Sequence, residues 1–385
     1  LFIFCNYKEV DLLIISGEAS GDEHASLLVR DIKSRFPDLS IAALGGQNLK
    51  TSGAHLLFDL VEHAVVGVVE VLKNYNFFKE LFNHTLEWIV EHKPKVILLV
   101  DYPGFNLRLA DALMKKGISR KGSGEIKVLQ YVSPQLWAWK PKRRFKMAKV
   151  LDALAVIFPF ETDCYKDVDL PVSFVGHPFV SKNYKPSVSF DRNGPLVLLP
   201  GSRVQPVQRI LPVFLDACEK IIQLFPELEI QLPVPNEQLK KISSEILNSR
   251  RQLKDRVEIK ENPQVITARA ALMSSGTMSF GCALAGIPGV IAYKAHPLTY
   301  LLGKLVLRVP YLGMANILLS KNPPYCELIQ SGATGDSLFT EIKDTLENLE
   351  GNKKYKTASV ELKKILSNTQ EFGVTDWLID EMELG

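Results

Sequence analysis

Short runs of β-branched and leucine-rich residues recur along the chain, each closing on a Gly, Pro or Asp turn and leading into a stretch with helical spacing. In the first half these runs fall at residues 10–15, 41–44, 95–100, 127–132, 153–158 and 173–175. Apolar runs of strand length between amphipathic helices predict βαβ units and a parallel sheet. The rhythm stops over residues 181–194, where Ser, Asn, Lys and Pro dominate, and this stretch reads as a linker. It resumes at 196–199, 229–232, 257–259, 271–273 and 289–292, with helical stretches such as 210–224 between. Helical spacing at 337–349, 358–368 and 377–382 completes the chain. The pattern predicts two doubly wound, Rossmann-like α/β domains at 1–185 and 186–350, then C-terminal helices over 351–385 that are free to pack back on the first. Ligands of such sheets sit beyond the carboxyl ends of the strands, so chemistry is expected in the turns that follow them.

Composition adjusts this picture only slightly. A length of 385 residues suits two cores, and 46% hydrophobic with 23% charged residues is a globular balance. A net charge of +3 is too small for the whole chain to bind nucleic acid, so no nucleic-acid partner is expected. Cys5, Cys164, Cys218, Cys282 and Cys326 are scattered and odd in number, which reads as reduced thiols in a cytoplasmic protein. The apolar opening, Leu1 to Cys5, lacks a basic flank and reads as a ragged start before the first strand rather than a cleaved signal. Residues 270–293 carry no charge, yet three glycines, four Ser/Thr and Pro288 suit a loop, a buried helix and a strand better than a membrane span.

Five constellations stand at predicted strand ends. The first, Ser16-Gly17-Glu18-Ala19-Ser20-Gly21-Asp22, opens a helix carrying His24 on its first turns. Its glycines and exposed amides could receive an anion or a sugar hydroxyl, although alone it is equally a tight turn with Asp22 at a helix start. The second, Asp101-Tyr102-Pro103-Gly104-Phe105-Asn106, fixes a carboxylate at a strand end, either as a general base or as a turn cap. The third runs from Tyr131 through Ser133, Trp137 and Trp139 into Lys140, Lys142, Arg143, Arg144, Lys146 and Lys149. Aromatics beside that many cations suit a sugar, a phosphate or an anionic membrane surface. The fourth, Pro200-Gly201-Ser202-Arg203, offers free amides and a guanidinium to a diphosphate. The fifth, Ser274-Ser275-Gly276-Thr277, places hydroxyls at a helix N-terminus, a second phosphate seat in the same domain.

Other chemistries find little support. The seven histidines form no zinc-binding pair, and no Walker loop or nucleophile elbow is present. Asp167-Val168-Asp169 has metal-site spacing but sits in a Lys- and Pro-flanked connection and reads as a loop. Metal-independent group transfer, with no cofactor, fits what remains.

In this order the motifs resemble the lipid-A-disaccharide synthases, inverting glycosyltransferases of the GT-B architecture, from about Leu12 to Gln330. The resemblance rests on G-E-A-S-G-D at 17–22, the Asp101 to Asn106 segment and Y-V-S-P-Q-L-W-A-W at 131–139. F-P-F-E at 158–161, F-V-G-H-P at 174–178, L-P-G-S-R at 199–203 and S-G-T at 275–277 extend it, and Tyr293, Pro297, Thr299 and residues 316–330 continue it. It implies an active site in the interdomain cleft of a cytoplasmic enzyme peripherally associated with the inner-leaflet membrane surface, and leaves a homodimer open. The implied substrates are UDP-2,3-diacylglucosamine and 2,3-diacylglucosamine 1-phosphate, joined as a β-1,6 disaccharide with release of UDP.

The resemblance also implies roles for individual residues. Asp101 would be the base toward the acceptor 6-hydroxyl. Gly17, Glu18, Ser20, Gly21, Asp22, His24, Asn106, Ser133 and Trp137 would lie on the acceptor side. Gly201, Ser202, Arg203, Ser275, Gly276, Thr277, Asn316, Glu327 and Gln330 would hold UDP. Residues 64–72 with Phe77, Phe78, Leu81 and Phe82 offer either an entrance for acyl chains or ordinary helix core. Pro206 and Gly281 stand where the family carries Glu, and Arg269 where it carries Asp. Losing a ribose-binding carboxylate costs about 1–3 kcal/mol. Another UDP-GlcNAc-type transferase or epimerase, or a lipid-binding paralogue with a degenerate donor site, are the competing expectations.

Overall fold

The computed structural model describes residues 9–64, 75–296, 300, 309–347, 353–367 and 372–384. The chain divides into two compact units, Leu1–Tyr184 with Leu366–Gly385, and Lys185–Ile365. Each is built on its own parallel sheet.

In the first unit the order is β1 (Leu12–Ser16), α1 (Ala19–Arg35), β2 (Ile41–Gly45), α2 (Gln47–Thr51), β3 (His55–Asp59), α3 (Leu60–Ala64) and α4 (Tyr75–His92). There follow β4 (Val96–Val100), α5 (Pro103–Lys115), β5 (Lys127–Tyr131), α6 (Arg143–Val150), β6 (Ala153–Val156) and β7 (Val172–Phe174). The strands lie in the order β3-β2-β1-β4-β5-β6-β7. β1 and β4 are buried along their whole length, which explains their unbroken apolar sequences. The order reverses between them, and their register pairs Ser16 with Val100, so both end at the same level.

The second unit contains β8 (Val188–Phe190), β9 (Leu196–Leu199), α7 (Val204–Leu224), β10 (Ile230–Val234), α8 (Glu237–Asn248), β11 (Val257–Glu261), β12 (Ile266–Ala268) and β13 (Ala270–Ser274). α9 (Thr277–Ala285), β14 (Gly289–Tyr293), α10 (Met314–Leu318), β15 (Cys326–Ile329), α11 (Gly335–Glu347) and α12 (Lys353–Leu366) complete it, and α13 (Val374–Met382) follows. Its main sheet runs β11-β10-β9-β13-β14-β15, with the reversal between β9 and β13. Leu199 pairs with Met273 there, so these strands also end level.

Several expectations need correction. β3 and β15 were not anticipated; both are half-buried sheet edges and lack the continuous apolar run of an interior strand. The stretch expected as a linker holds β8, which pairs in parallel with β12. α7 begins at Val204 instead of 210, because Pro206 is tolerated in a first turn where no intrahelical amide bond is lost. The block 351–385 is not one body. α12 seats on the second unit through Tyr355 Oη to Gly289 O (3.4 Å) and Ser359 Oγ to Leu284 O (2.6 Å). α13 seats on the first through Arg35–Asp376 and Lys127–Glu381, both at 2.6 Å.

The uncharged stretch 270–293 folds as β13, α9 and β14. No helix among the described residues is long and apolar enough to cross a membrane. Cys164, Cys218, Cys282 and Cys326 are free thiols, and Cys5 lies outside the described residues.

Gly289 faces Ala271 across the β13–β14 pair, and a Cβ there would press into the Ala271 carbonyl oxygen. Gly289→Ala is expected to cost about 1–3 kcal/mol by forcing the strands apart. Urea unfolding of the variant against the parent protein measures this.

Candidate active site

The turns after β1 and β4 meet in the first unit because two glycines remove side chains from the contact. A methyl on Gly21 would lie 2.6 Å from Ser16 Oγ and 3.7 Å from Asp101 Cβ, and one on Gly17 would run into the Tyr102 ring. Asp101 and Tyr102 both adopt left-handed backbone, with φ of 45° and 44°, and Val132 after β5 does so too, at 67°. Conformations of this kind cost about 1–3 kcal/mol each and persist only where surrounding bonds impose them.

Two buried amides supply those bonds. Asn106 Nδ2 donates to the carbonyl oxygens of Asp101 (2.8 Å), Ile15 (3.3 Å) and Val100 (3.3 Å). Gln130 Nε2 donates to the oxygens of Val132 (3.2 Å) and Asp101 (3.4 Å), tying two of the left-handed residues together. Gln130 was missed by sequence reasoning, although a lone polar residue inside the apolar β5 run was a usable signal. Asn106, expected on the acceptor side, is fully buried and serves the turn instead.

The Asp101 carboxyl is pushed up to about 7, first by burial and then by the nearby charge of Glu18, while a bond from the Tyr102 backbone opposes the rise. Glu161, behind it, is pushed up to about 8 by burial, with the Asp101 charge adding to the effect. Its carboxylate accepts from Trp137 Nε1 (3.4 Å) and Phe158 N (3.2 Å), so Trp137 is anchored with its ring half-buried against Phe160. Glu161 entered the sequence reading only as part of a motif, because nothing in sequence marks a helix-start glutamate as buried.

Other expected acceptor-side groups are likewise spent inside the fold. Asp22 accepts from the backbone of Gly46 (2.6 Å), Asn48 (3.1 Å) and Leu49 (3.4 Å) and so caps α2. Ser133 Oγ shares a hydrogen with Tyr165 Oη at 2.7 Å. His24 is buried edge-on to His177 and Phe179, and burial pulls it down to about 4, leaving it neutral. Glu18 and Ser20 retain partial exposure on the loop. Of the apolar stretch, Leu81 is buried and Phe77, Phe78 and Phe82 pack against the core; residues 65–72 lie outside the described residues.

In the second unit the loops after β9 and β13 approach each other in the same way. Gly201 has φ of +123°, and a methyl there would meet Ser274 Oγ at 3.3 Å. Ser202, Arg203, Gly276 and Thr277 are exposed, and Thr277 opens α9. Ser275 Oγ instead donates to Leu312 O (2.8 Å). Glu327 accepts from Leu312 N (2.8 Å), Gly313 N (3.0 Å) and Asn316 Nδ2 (2.7 Å), holding the start of α10. Asn316 is also bonded in both directions to the Tyr325 backbone, and Gln330 clasps both backbone groups of Ala295. These three residues, expected around UDP, brace the backbone at the start of α10 and after β14.

In each unit the loops at the strand-order switch point close on glycines; those of the first unit carry a perturbed carboxyl, and those of the second carry the exposed Arg203 and Thr277. Residues 12–374 match the lipid-A-disaccharide synthetase family. The chain belongs to this family. Its activity is the family's, glycosyl transfer that forms the lipid A disaccharide. The lipid-A-disaccharide synthase 1 of Legionella pneumophila (strain Lens) is 35% identical over 327 residues, covering 80% of this chain and 81% of that protein. The synthase of Nitrosococcus oceani is 35% identical over 350 residues, covering 88% and 87%.

Solved structures agree on the fold. The UDP-GlcNAc 2-epimerase of Neisseria meningitidis superposes with a TM-score of 0.59 at 10% identity, covering 97% of this chain and 99% of that one. Acinetobacter baumannii MurG superposes at 0.51 with 12% identity, covering 97% and 100%. The GT-B architecture expected of a synthase is therefore the one present.

Because the Asp101 carboxyl is raised in the folded chain, burying its charge opposes folding increasingly as pH climbs from the ordinary carboxylate range to about 7. Asp101→Asn is expected to raise the melting temperature, with a gain that grows over that range and levels off above it. Thermal melts of both proteins between pH 5 and pH 8 give the comparison.

Proposed function

We propose that Asp101 takes the proton from the 6-hydroxyl of 2,3-diacylglucosamine 1-phosphate as that oxygen attacks the anomeric carbon of UDP-2,3-diacylglucosamine. The O6–C1 bond forms while the bond from C1 to the β-phosphate oxygen breaks, so the anomeric centre inverts and UDP departs. Charge on the departing diphosphate is met by the Arg203 guanidinium and the amide end of α9 beside Thr277, without a metal ion. The observation that carries this reading is the Asp101 carboxyl at about 7, at a strand end where the backbone is held in a left-handed turn. A base with that affinity for protons is matched to neutral pH.

Asp101→Asn is expected to lower the turnover number by at least about a hundredfold while UDP still binds. In the parent enzyme the rate should rise with pH through about 7, as Asp101 becomes ionised. Release of UDP, followed with both acylated sugars, tests both statements. A variant with normal turnover overturns the assignment, and release with an unacylated acceptor would point to another UDP-sugar transferase.

A second observation supports contact with the inner leaflet from the cytoplasmic side. Trp139 and Phe145 are 39% and 44% exposed, beside the exposed cations Lys140, Lys142, Lys146 and Lys149. Lys140 and Arg143 lie over the Trp139 ring at 4.3 and 5.6 Å, while Arg144 is held by Asp167. Apolar rings framed by cations suit an anionic lipid surface, where rings insert and cations meet headgroups. Replacing both rings by alanine is expected to reduce co-sedimentation with anionic vesicles by at least about threefold and to weaken the lesser binding to neutral ones as well.

A further inference from the structure

A pocket of about 440 Å³ in the second unit is lined by Arg209, Lys294, Ala295, His296, Gln330 and Ser331. Lys294 directly follows β14, and Gln330 directly follows β15, so the pocket stands at the carboxyl edge of the sheet. Arg209 reaches it from the second turn of α7. Among the described residues no carboxylate lines it.

Its charge balance is unusual. Arg209 and Lys294 are both half-buried, and among the described residues neither meets a carboxylate within ion-pair distance. Arg209 has one long bond, to Gln205 Oε1 at 3.4 Å. Partly desolvated cations are ordinarily compensated, and two converging on one cavity without a counter-charge indicate that the compensating anion comes from outside.

The lining is also held in place. Gln330 has left-handed backbone at φ of 54°. Its side chain accepts from Ala295 N at 2.7 Å and donates to Ala295 O at 3.2 Å, locking the strand end that carries Lys294 to the turn that carries Ser331. Two cations and a hydroxyl on one lining, with the strand end beneath Lys294 held, match a phosphoryl group, which takes several charge-assisted bonds at once.

We propose that Arg209 and Lys294 form a phosphoryl-binding site, separate from the loops after β9 and β13, for a phosphate carried by one of the two sugar substrates. Naming a substrate as the source rests on the proposed transfer reaction; the site itself can be read from binding alone. Two sources share this chemistry, the diphosphate of the UDP-sugar and the 1-phosphate of the acceptor.

The test uses the full chain and the variants Arg209→Ala, Lys294→Ala and the double variant, with Lys294→Arg as the charge-keeping control. Calorimetry with UDP gives one arm, and initial rates with the acceptor and with its analogue lacking the 1-phosphate give the other. A rise of about tenfold or more in the UDP dissociation constant assigns the site to the diphosphate. Unchanged UDP binding with a rise of about tenfold in KM for the phosphorylated acceptor alone assigns it to the 1-phosphate. Lys294→Arg should recover most of either loss. UDP affinity and acceptor KM both within about twofold of the parent, in variants with parental melting temperatures, overturn the proposal. Normal turnover by Asp101→Asn would defeat the transfer mechanism without touching the calorimetric arm, so the two failures are distinguishable.

Discussion

Three hydrogen bonds from the Asn106 amide to the carbonyls of Ile15, Val100 and Asp101 set the conditions for the first unit. A strand that ends inside a protein leaves carbonyls without partners, and a buried carbonyl without a donor is costly. One amide reaches three carbonyls, on two neighbouring strands and the residue after them, at the point where strand order reverses. Gln130 extends the same solution to β5 by joining Asp101 to Val132. The left-handed residues at 101, 102 and 132 can then persist, and the Asp101 carboxyl stays in the buried place that raises its proton affinity. Backbone strain, amide donors and a perturbed acid are thus one arrangement.

The second unit meets the same demand with a carboxylate. Glu327 gathers two backbone amides and the Asn316 side chain, while Asn316 secures Tyr325 and Gln330 secures Ala295. Carboxyl and amide side chains here do what a helix cap does, satisfying backbone groups that regular structure leaves open. Arg209 and Lys294 carry no ion pair within that scaffold among the described residues, and Thr277 is exposed at the start of α9. Division of labour between scaffold and contact residues explains why so many polar residues surround these loops while few have side chains available.

Much was determined by the sequence alone. Interior strands are buried on both faces and are largely apolar, so β1, β4, β9 and β13 were visible as runs and β5 as one interrupted by Gln130, and the turns after them located both loop pairs. Glycines at 17, 21 and 201 stood where close loop approach requires them. Family membership was likewise readable, since the order of motifs is linear information. The cationic run from Lys140 to Lys149 beside Trp139 was legible too, because charge density along the chain needs no partner to be seen.

Only the tertiary structure decided which polar side chains face outward. Asp22, Asn106, Ser133, Asn316, Glu327 and Gln330 have the chemistry of ligand-binding groups, and sequence offers no way to know that backbone atoms already occupy them. The partners of Asp22 lie on α2, and those of Asn106 include the end of β1, distant in the chain and close only after folding. Edge strands β3 and β15 escaped for a related reason, since half-burial leaves no unbroken apolar signature. Proton affinity belongs to the same class. The rise at Asp101 and Glu161 comes from burial and a neighbouring carboxylate, both consequences of packing, and a hydrogen-bond partner or a low-dielectric surrounding has no representation in linear order.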